Sequence, residues 1–143
     1  MIVIDANILL YAHDSSDPHH VTAARWLEAT MGGSSTVGFA LTTVLAFVRI
    51  ATDPRVYTEP MSATHAIGLV ESWFRRANVR LLAPTEAHWR TLNDLAIAGQ
   101  ARGPLVMDAH LAALALEHGA TLATVDRDFS RFPALRTVDP TVS

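Results

Sequence analysis

Residues 103–126 read GPLVMDAHLAALALEHGATLATVD, and this stretch decides the fold. From Met107 to Leu116 nearly every side chain is apolar or small, which is typical of a helix buried on all sides. Gly119 ends that helix, and the following residues, TLATVD, form a short strand. Asp108 lies near the start of the apolar helix, where a carboxylate is costly unless its lost hydration is compensated. The rest of the sequence has to supply that compensation.

Strand and helix patterns alternate along the whole chain. Strands are predicted at residues 1–5, 36–41, 79–84 and 121–126, with a last one at 136–139. Helices are predicted at residues 17–32, with Asp17 as N-cap, at 42–53, 62–77 and 85–101, with Ser62 and Thr85 as caps, and at 107–118. In the 62–77 helix the predicted buried face consists of Ala63, Ile67, Val70, Phe74 and Ala77. The alternation predicts an α/β fold, an α/β/α sandwich with a mostly parallel central sheet.

Composition narrows the possible classes of protein. The chain has 143 residues, half of them hydrophobic and 17% charged, which predicts one folded domain spanning residues 1–143. There is no cysteine, so disulfides and thiolate metal sites are excluded. A net charge of −3 gives no sign of a strongly basic nucleic-acid binder. Asp5 and Asn7 interrupt the apolar N-terminal run, which therefore fits neither a signal peptide nor a membrane span, and a cytoplasmic protein is expected.

Four acidic side chains occur where strands end or helices begin. Asp5 and Asp126 end the first and fourth predicted strands, Asp128 follows two residues later, and Asp108 opens the buried helix. Each alone could be an ordinary turn or capping residue. In a parallel sheet, however, all four positions lie at one edge, where the carboxylates would repel one another. An all-oxygen set favours Mg²⁺ or Mn²⁺ over zinc, so we expect Asp5 and Asp108 to share a metal ion, with Asp126 holding a water molecule or a second ion.

Three segments resemble a known family. VIDANILLYA (3–12), FVRIATDPRVY (47–57) and VMDAHLAALALEHGATLATVDRDFSRFP (106–133) are similar to PIN-domain proteins, more narrowly to the VapC toxins of bacterial VapBC toxin–antitoxin pairs. The resemblance implies a Mg²⁺- or Mn²⁺-dependent ribonuclease that cuts structured RNA such as tRNA or rRNA, a VapB-like antitoxin as partner, and a homodimer. It also implies that Asp5 and Asp108 bind metal, that Asp126 completes the acidic site with Asp128 in support, and that Asn7 helps to order it.

One position departs from the family pattern. Many members carry a glutamate in a motif like E-F-x-R, whereas this chain has LAFVRI and places Ala46 there. Thr43, one helical turn earlier, could supply a hydroxyl or hold a water molecule, or it could satisfy backbone groups at the helix start. Arg49 and Arg127 could contact substrate phosphate or a partner, or form surface ion pairs. A catalytically weak PIN scaffold that binds RNA or a protein, and a nuclease acting on DNA, are the alternative functions.

Overall fold

A computed structural model describes residues 1–142. The strands are β1 (Ile2–Ile4), β2 (Val37–Ala40), β3 (Val79–Leu82), β4 (Thr121–Ala123) and β5 (Thr137–Val138). The helices are α1 (Ala6–Ala12), α2 (His20–Met31), α3 (Leu41–Ala51), α4 (Ala63–Phe74), α5 (His88–Ala98) and α6 (Leu105–Glu117), followed by a 3₁₀ helix at Arg127–Arg131. Within these residues, no helix is long and apolar enough to span a membrane.

The five strands form one sheet in the order β3-β2-β1-β4-β5, and every pairing is parallel. Strand β1 is central: Ile2 lies opposite Val37 of β2 on one side and opposite Thr121 of β4 on the other. Because the strands are parallel, their carboxyl ends all meet at one edge of the sheet. The predicted mostly parallel sheet is confirmed. Its central strand ends at Ile4, so Asp5 lies at that edge.

The sheet separates two hydrophobic cores, which confirms the predicted three-layer sandwich. Successive side chains of a strand point to opposite faces, so Val3 and Ile4 belong to different cores. The core under α1–α4 includes Ile4, Ile8, Leu27, Phe39, Phe47 and Trp73. The core under α5 and α6 includes Val3, Leu95, Leu114, Leu122 and Phe129. Helix α6 buries every residue from Leu111 to Ala115, as its apolar sequence predicts, but its first turn is not buried on all sides, since Met107 is 54% exposed.

The predicted buried face of the 62–77 helix is only partly correct: Val70 and Phe74 are half-buried against the core, but Ala63 and Ala77 are exposed. The buried residues of α4 are Ala66 and Trp73, whereas Ile67 is exposed. The Trp73 ring determines this orientation, because its centroid lies 5.0 Å from that of Phe47 and 5.6 Å from that of Phe39. The prediction was partly wrong because this helix carries apolar residues on two neighbouring stripes, and Trp73 is buried more deeply than Phe74.

The predicted helix starts also need correction. Asp17 accepts a hydrogen bond from the backbone of His19 within a turn, and α2 begins only at His20. Thr85 likewise closes a turn onto Ala87 before α5 begins. Ser62, in contrast, is the N-cap of α4 and accepts a hydrogen bond from His65, as predicted. The short helix α1 is missing from the sequence prediction, because it begins immediately after β1 without an intervening loop.

Replacing either of two glycines with alanine should change the free energy of unfolding, in opposite directions at the two positions. Gly119 ends α6 with a φ of +63°, and Gly68 lies inside α4; an added methyl group meets no atom within 4 Å at either. We expect Gly119→Ala to lower the free energy of unfolding by about 1 kcal/mol, because a left-handed conformation strains an L-residue. Gly68→Ala should raise it by about 0.5–1 kcal/mol through helix propensity. Urea unfolding of both variants checks this; equal effects would contradict it.

Candidate active site

Asp5 is fixed by two hydrogen bonds at the carboxyl end of β1. Its Oδ1 accepts from the backbone N–H of Ala6, at 2.8 Å, and makes Asp5 the N-cap of α1. Its Oδ2 accepts from the Thr124 hydroxyl at 2.7 Å. Burial raises the pKa of Asp5 above its usual value, the two hydrogen bonds oppose that rise, and the charge of Asp126 adds to it. The side chain is therefore held rigidly in a position where its charge is unfavourable.

The charge of Asp108 is unfavourable, as its strongly raised pKa indicates. It is the fourth residue of α6 and lies in the first turn, where the helix dipole favours a carboxylate. Even so, burial first, and then the negative charges of Asp126, Asp5 and Asp128, raise its pKa to about 6, with Arg131 opposing. The local helix geometry thus compensates only part of the cost of this carboxylate.

Asp126 and Asp128 come from the segment after β4. The strand ends at Ala123, so Asp126 does not end it as predicted but caps the 3₁₀ helix, accepting a hydrogen bond from the backbone of Asp128 at 2.9 Å. One carboxylate oxygen from each of Asp108, Asp126 and Asp128 lies within 4.8 Å of the others. This all-oxygen spacing fits a divalent cation such as Mg²⁺ or Mn²⁺. Asp5 does not belong to this group of three, although its charge acts on Asp108.

Thr124 is a site residue that the sequence analysis missed. Its hydroxyl donates to Asp5 and accepts from the backbone N–H of Asp126, at 3.0 Å, and the residue is only 5% exposed. One buried hydroxyl therefore connects the end of β1 to the segment that carries two further acids. The signal available in the sequence was the threonine two residues before Asp126, a spacing typical of a turn closed by a side chain.

A cavity of about 650 Å³ is lined by residues of α3 and α6 and by Asp5. Asp108, Thr43, Ala46 and Arg49 also line it, so these sequence-predicted positions share one space with Asp5. Among residues 1–142, Asn7 does not line this cavity; it is the second residue of α1 and half-buried. The methyl group of Ala46 adds no charge to the wall formed by α3.

The two arginines singled out in the sequence lie in different places: Arg49 lines the cavity that contains Asp5, whereas Arg127 does not. Arg127 is exposed and borders a separate cavity with Asp126. In the part of the chain described, the ion-pair partner of Asp128 is Arg131, with an N–O distance of 3.7 Å. Arg131 also donates to the carbonyl of Gly99 at 2.8 Å, so it joins the 3₁₀ helix to the end of α5. Arg127 forms no ion pair among residues 1–142.

A polar network, also missed by the sequence analysis, connects α6 to α5. His88 hydrogen-bonds to Glu117 through one ring nitrogen and to His110 through the other, at 2.9 Å. Burial alone would raise the pKa of Glu117, but hydrogen bonds from His88 and Thr85 lower it overall. Burial and the neighbouring His88 lower the pKa of His110. The network fixes the helix that carries Asp108.

Comparison with known proteins identifies relatives over nearly the full length. Residues 2–135 match the family model for the PIN domain. Ribonuclease VapC37 of Mycobacterium tuberculosis is 39% identical over 140 residues, covering 98% of this chain and 97% of the relative. The VapBC-1 structure from nontypeable Haemophilus influenzae has a TM-score of 0.69 at 22% identity, covering 99% of this chain and 100% of that one.

A second structural neighbour is a toxin described by its activity. It is M. tuberculosis VapC20, described as a Sarcin-Ricin loop cleaving toxin, with a TM-score of 0.68 at 18% identity. The alignment covers 95% of this chain and 99% of that one. At such identities the two structural neighbours establish the fold.

Neutralising Asp108 should stabilise the metal-free protein. We expect Asp108→Asn to raise the free energy of unfolding at pH 7.5 by about 1 kcal/mol, less than the full pKa shift implies because water screens this half-buried group. The folded-state pKa of about 6 lies above the unfolded value of 3.8. Ionised Asp108 therefore destabilises the fold fully above about pH 6, and this destabilisation shrinks as the pH falls towards 3.8. Urea unfolding in EDTA at several pH values measures it; a gain independent of pH would contradict this explanation.

Removing the Thr124 hydroxyl should loosen the site. Thr124→Val keeps the shape but leaves Asp5 Oδ2 and the Asp126 N–H without their partner. We expect a loss of about 1–3 kcal/mol in the free energy of unfolding and a further rise in the pKa of Asp5. Thr124→Ser should restore most of both. Urea unfolding and NMR titration of the Asp5 carboxyl report the two quantities, and wild-type values for the valine variant would rule out this role.

Proposed function

Because the chain belongs to the PIN-domain family, within its VapC ribonucleases, we propose that it is a metal-dependent endoribonuclease acting as the toxin of a toxin–antitoxin pair. The observation that carries the proposal is the convergence of Asp5, Asp108, Asp126 and Asp128 at one edge of the sheet. We further propose that residues 1–143 form one domain, in line with the family match across residues 2–135.

The proposed metal site uses the acids in two overlapping groups. Asp108 shares the cavity with Asp5 and the carboxylate cluster with Asp126 and Asp128, so it is the common ligand. In this proposal Asp5 and Asp108 hold Mg²⁺, for which Mn²⁺ can substitute, and Asp126 completes the site with Asp128 in support. When bound, the ion would neutralise charge on a phosphate oxygen and lower the pKa of a bound water.

The other residues position these acids and the substrate. The Thr124 hydroxyl keeps Asp5 oriented, and Thr43, which is buried on the cavity wall, is proposed to hold a water molecule there. Asn7 is proposed to order the start of α1 behind Asp5. Arg49 lines the cavity and is proposed to bind a substrate phosphate, a role for which the bidentate guanidinium is well suited. Arg127 is exposed and is proposed to contact more distant substrate or a partner.

The proposed substrate is structured RNA, either tRNA or rRNA. The relatives carry the name ribonuclease, and the structurally similar VapC20 is described as cleaving the Sarcin-Ricin loop. The proposed site of action is therefore the cytoplasm. Structures of VapBC pairs among the neighbours support a VapB-like antitoxin as partner, and a homodimer is proposed from the family resemblance.

The alternative, a catalytically weak scaffold, is less well supported. It rests on Ala46, which removes a carboxylate from the wall formed by α3. The remaining acids still provide three clustered carboxylate oxygens and a fourth carboxylate nearby. Their electrostatic strain is what a bound cation would relieve, and a pure binding scaffold has no need of it.

The decisive test is metal-dependent cleavage. Purified antitoxin-free protein is incubated with total RNA in Mg²⁺, Mn²⁺ or EDTA, and cut sites are mapped by primer extension. We expect discrete cuts in Mg²⁺ and Mn²⁺, none in EDTA, and a loss of at least about 100-fold in rate for Asp5→Asn and Asp108→Asn.

Asp94→Asn is the matched control, since this acid is exposed on α5 outside the site. It should cut like the wild type. Full activity of Asp5→Asn or of the reaction in EDTA would refute the metal assignment. Absence of cutting under every condition would favour the scaffold, and cutting of DNA in preference to RNA would change the substrate class.

A further inference from the structure

Two large apolar side chains stand exposed beside the site acids. Leu45 of α3 is 57% exposed and Met107 of α6 is 54% exposed, and both line the cavity that contains Asp5 and Asp108. Their neighbours Phe47 and Ala109 are fully buried, so the two helices have other residues with which to pack against the sheet. The exposed pair contributes little to the core, and its position beside the acids points to a ligand.

Each wall of the cavity combines an apolar side chain with a charged one. On α3, Leu45, Ala46 and Arg49 follow the spacing of one helix face, so Leu45 and Arg49 are neighbours there. On α6, Met107 directly precedes Asp108. The small side chain of Ala46 keeps the space between the walls open. At about 650 Å³, the cavity has the size of sites that take small-molecule ligands.

A nucleotide matches this combination of groups better than a protein segment does. Its phosphates complement Arg49 and a cation held by Asp108, and the faces of its base complement apolar walls. Arg49 on the same cavity complements a phosphate group, which an unmodified protein segment does not carry. A base within a duplex has both faces covered by its neighbours, so only an unpaired base can use the walls.

We propose that Leu45 and Met107 form an apolar slot for one unpaired base next to the cleaved phosphate. This inference rests on the ribonuclease function proposed above and specifies the substrate class further. The slot makes the enzyme select nucleotides that lie outside a duplex, in a loop, bulge or single-stranded end. Leu45 and Met107 thus determine specificity, while the acids carry the chemistry.

The test pairs protein variants with an altered RNA. A short RNA spanning a mapped cut site is compared with versions that lack one base on either side of the cut. We expect loss of the slot base, Leu45→Ser and Met107→Ser each to lower kcat/KM by about tenfold. On the RNA without that base, the serine substitutions should cause little further loss of kcat/KM, because the slot then has no base to bind. Ile97→Ser, which alters an apolar side chain 70% exposed on α5 and outside the cavity, should match wild type on both RNAs.

Equal losses on the intact and the altered RNA, or no loss at all, would overturn the slot. Changes confined to dimerisation or to antitoxin affinity would also overturn it and would assign the surface to a protein. The same comparison is made for binding, by fluorescence anisotropy, with all site acids intact and Ca²⁺ in place of Mg²⁺. If the wild type cuts no RNA, the ribonuclease proposal fails. The base slot would still be supported if the serine substitutions weaken binding only of the RNA that carries the base. Equal weakening on both RNAs would reject it.

Discussion

The burial of carboxylates, together with their mutual repulsion, is the constraint to which the rest of this structure responds. Parallel pairing of β1 with β4 and the packing of α6 bring four acids to one edge of the sheet. The Thr124 hydroxyl, the backbone of Ala6 and the start of α6 each offset part of the cost. The pKa of about 6 for Asp108 shows that the compensation is incomplete. What remains is negative charge that a divalent cation can neutralise.

The spacing of these acids depends on the hydrophobic cores. Asp108 cannot move without α6, and α6 is held by the buried run from Leu111 to Ala115 and by the His88–Glu117 contact with α5. Asp5 follows the central strand directly and is held from both sides. Asp126 and Asp128 lie in a short 3₁₀ segment with its own hydrogen bonds. Core packing therefore sets the distances between site residues that are far apart in sequence.

The sequence was sufficient for the parallel sheet, its sandwich architecture and the approach of the acids, because short β-branched runs and helix signals alternate clearly. It was insufficient wherever the burial of a side chain depends on which layer of the sandwich it packs against. Periodicity could not choose between the two apolar stripes of α4, and it could not show that Trp89 is 77% exposed. The Thr124–Asp5 bond joins residues 119 positions apart, a distance that no local pattern reports.

The departure at Ala46 is explained by the distribution of charge around the cavity. The acids come from β1, α6 and the segment after β4, whereas the wall formed by α3 offers Leu45, Ala46 and Arg49. A glutamate at position 46 would lie one helical turn from Arg49 and pair with it, which would weaken its attraction for phosphate. It would also add a further negative charge near Asp108 and raise that pKa again. With alanine there, one wall of the cavity is suited to a cation and the other to a phosphate group.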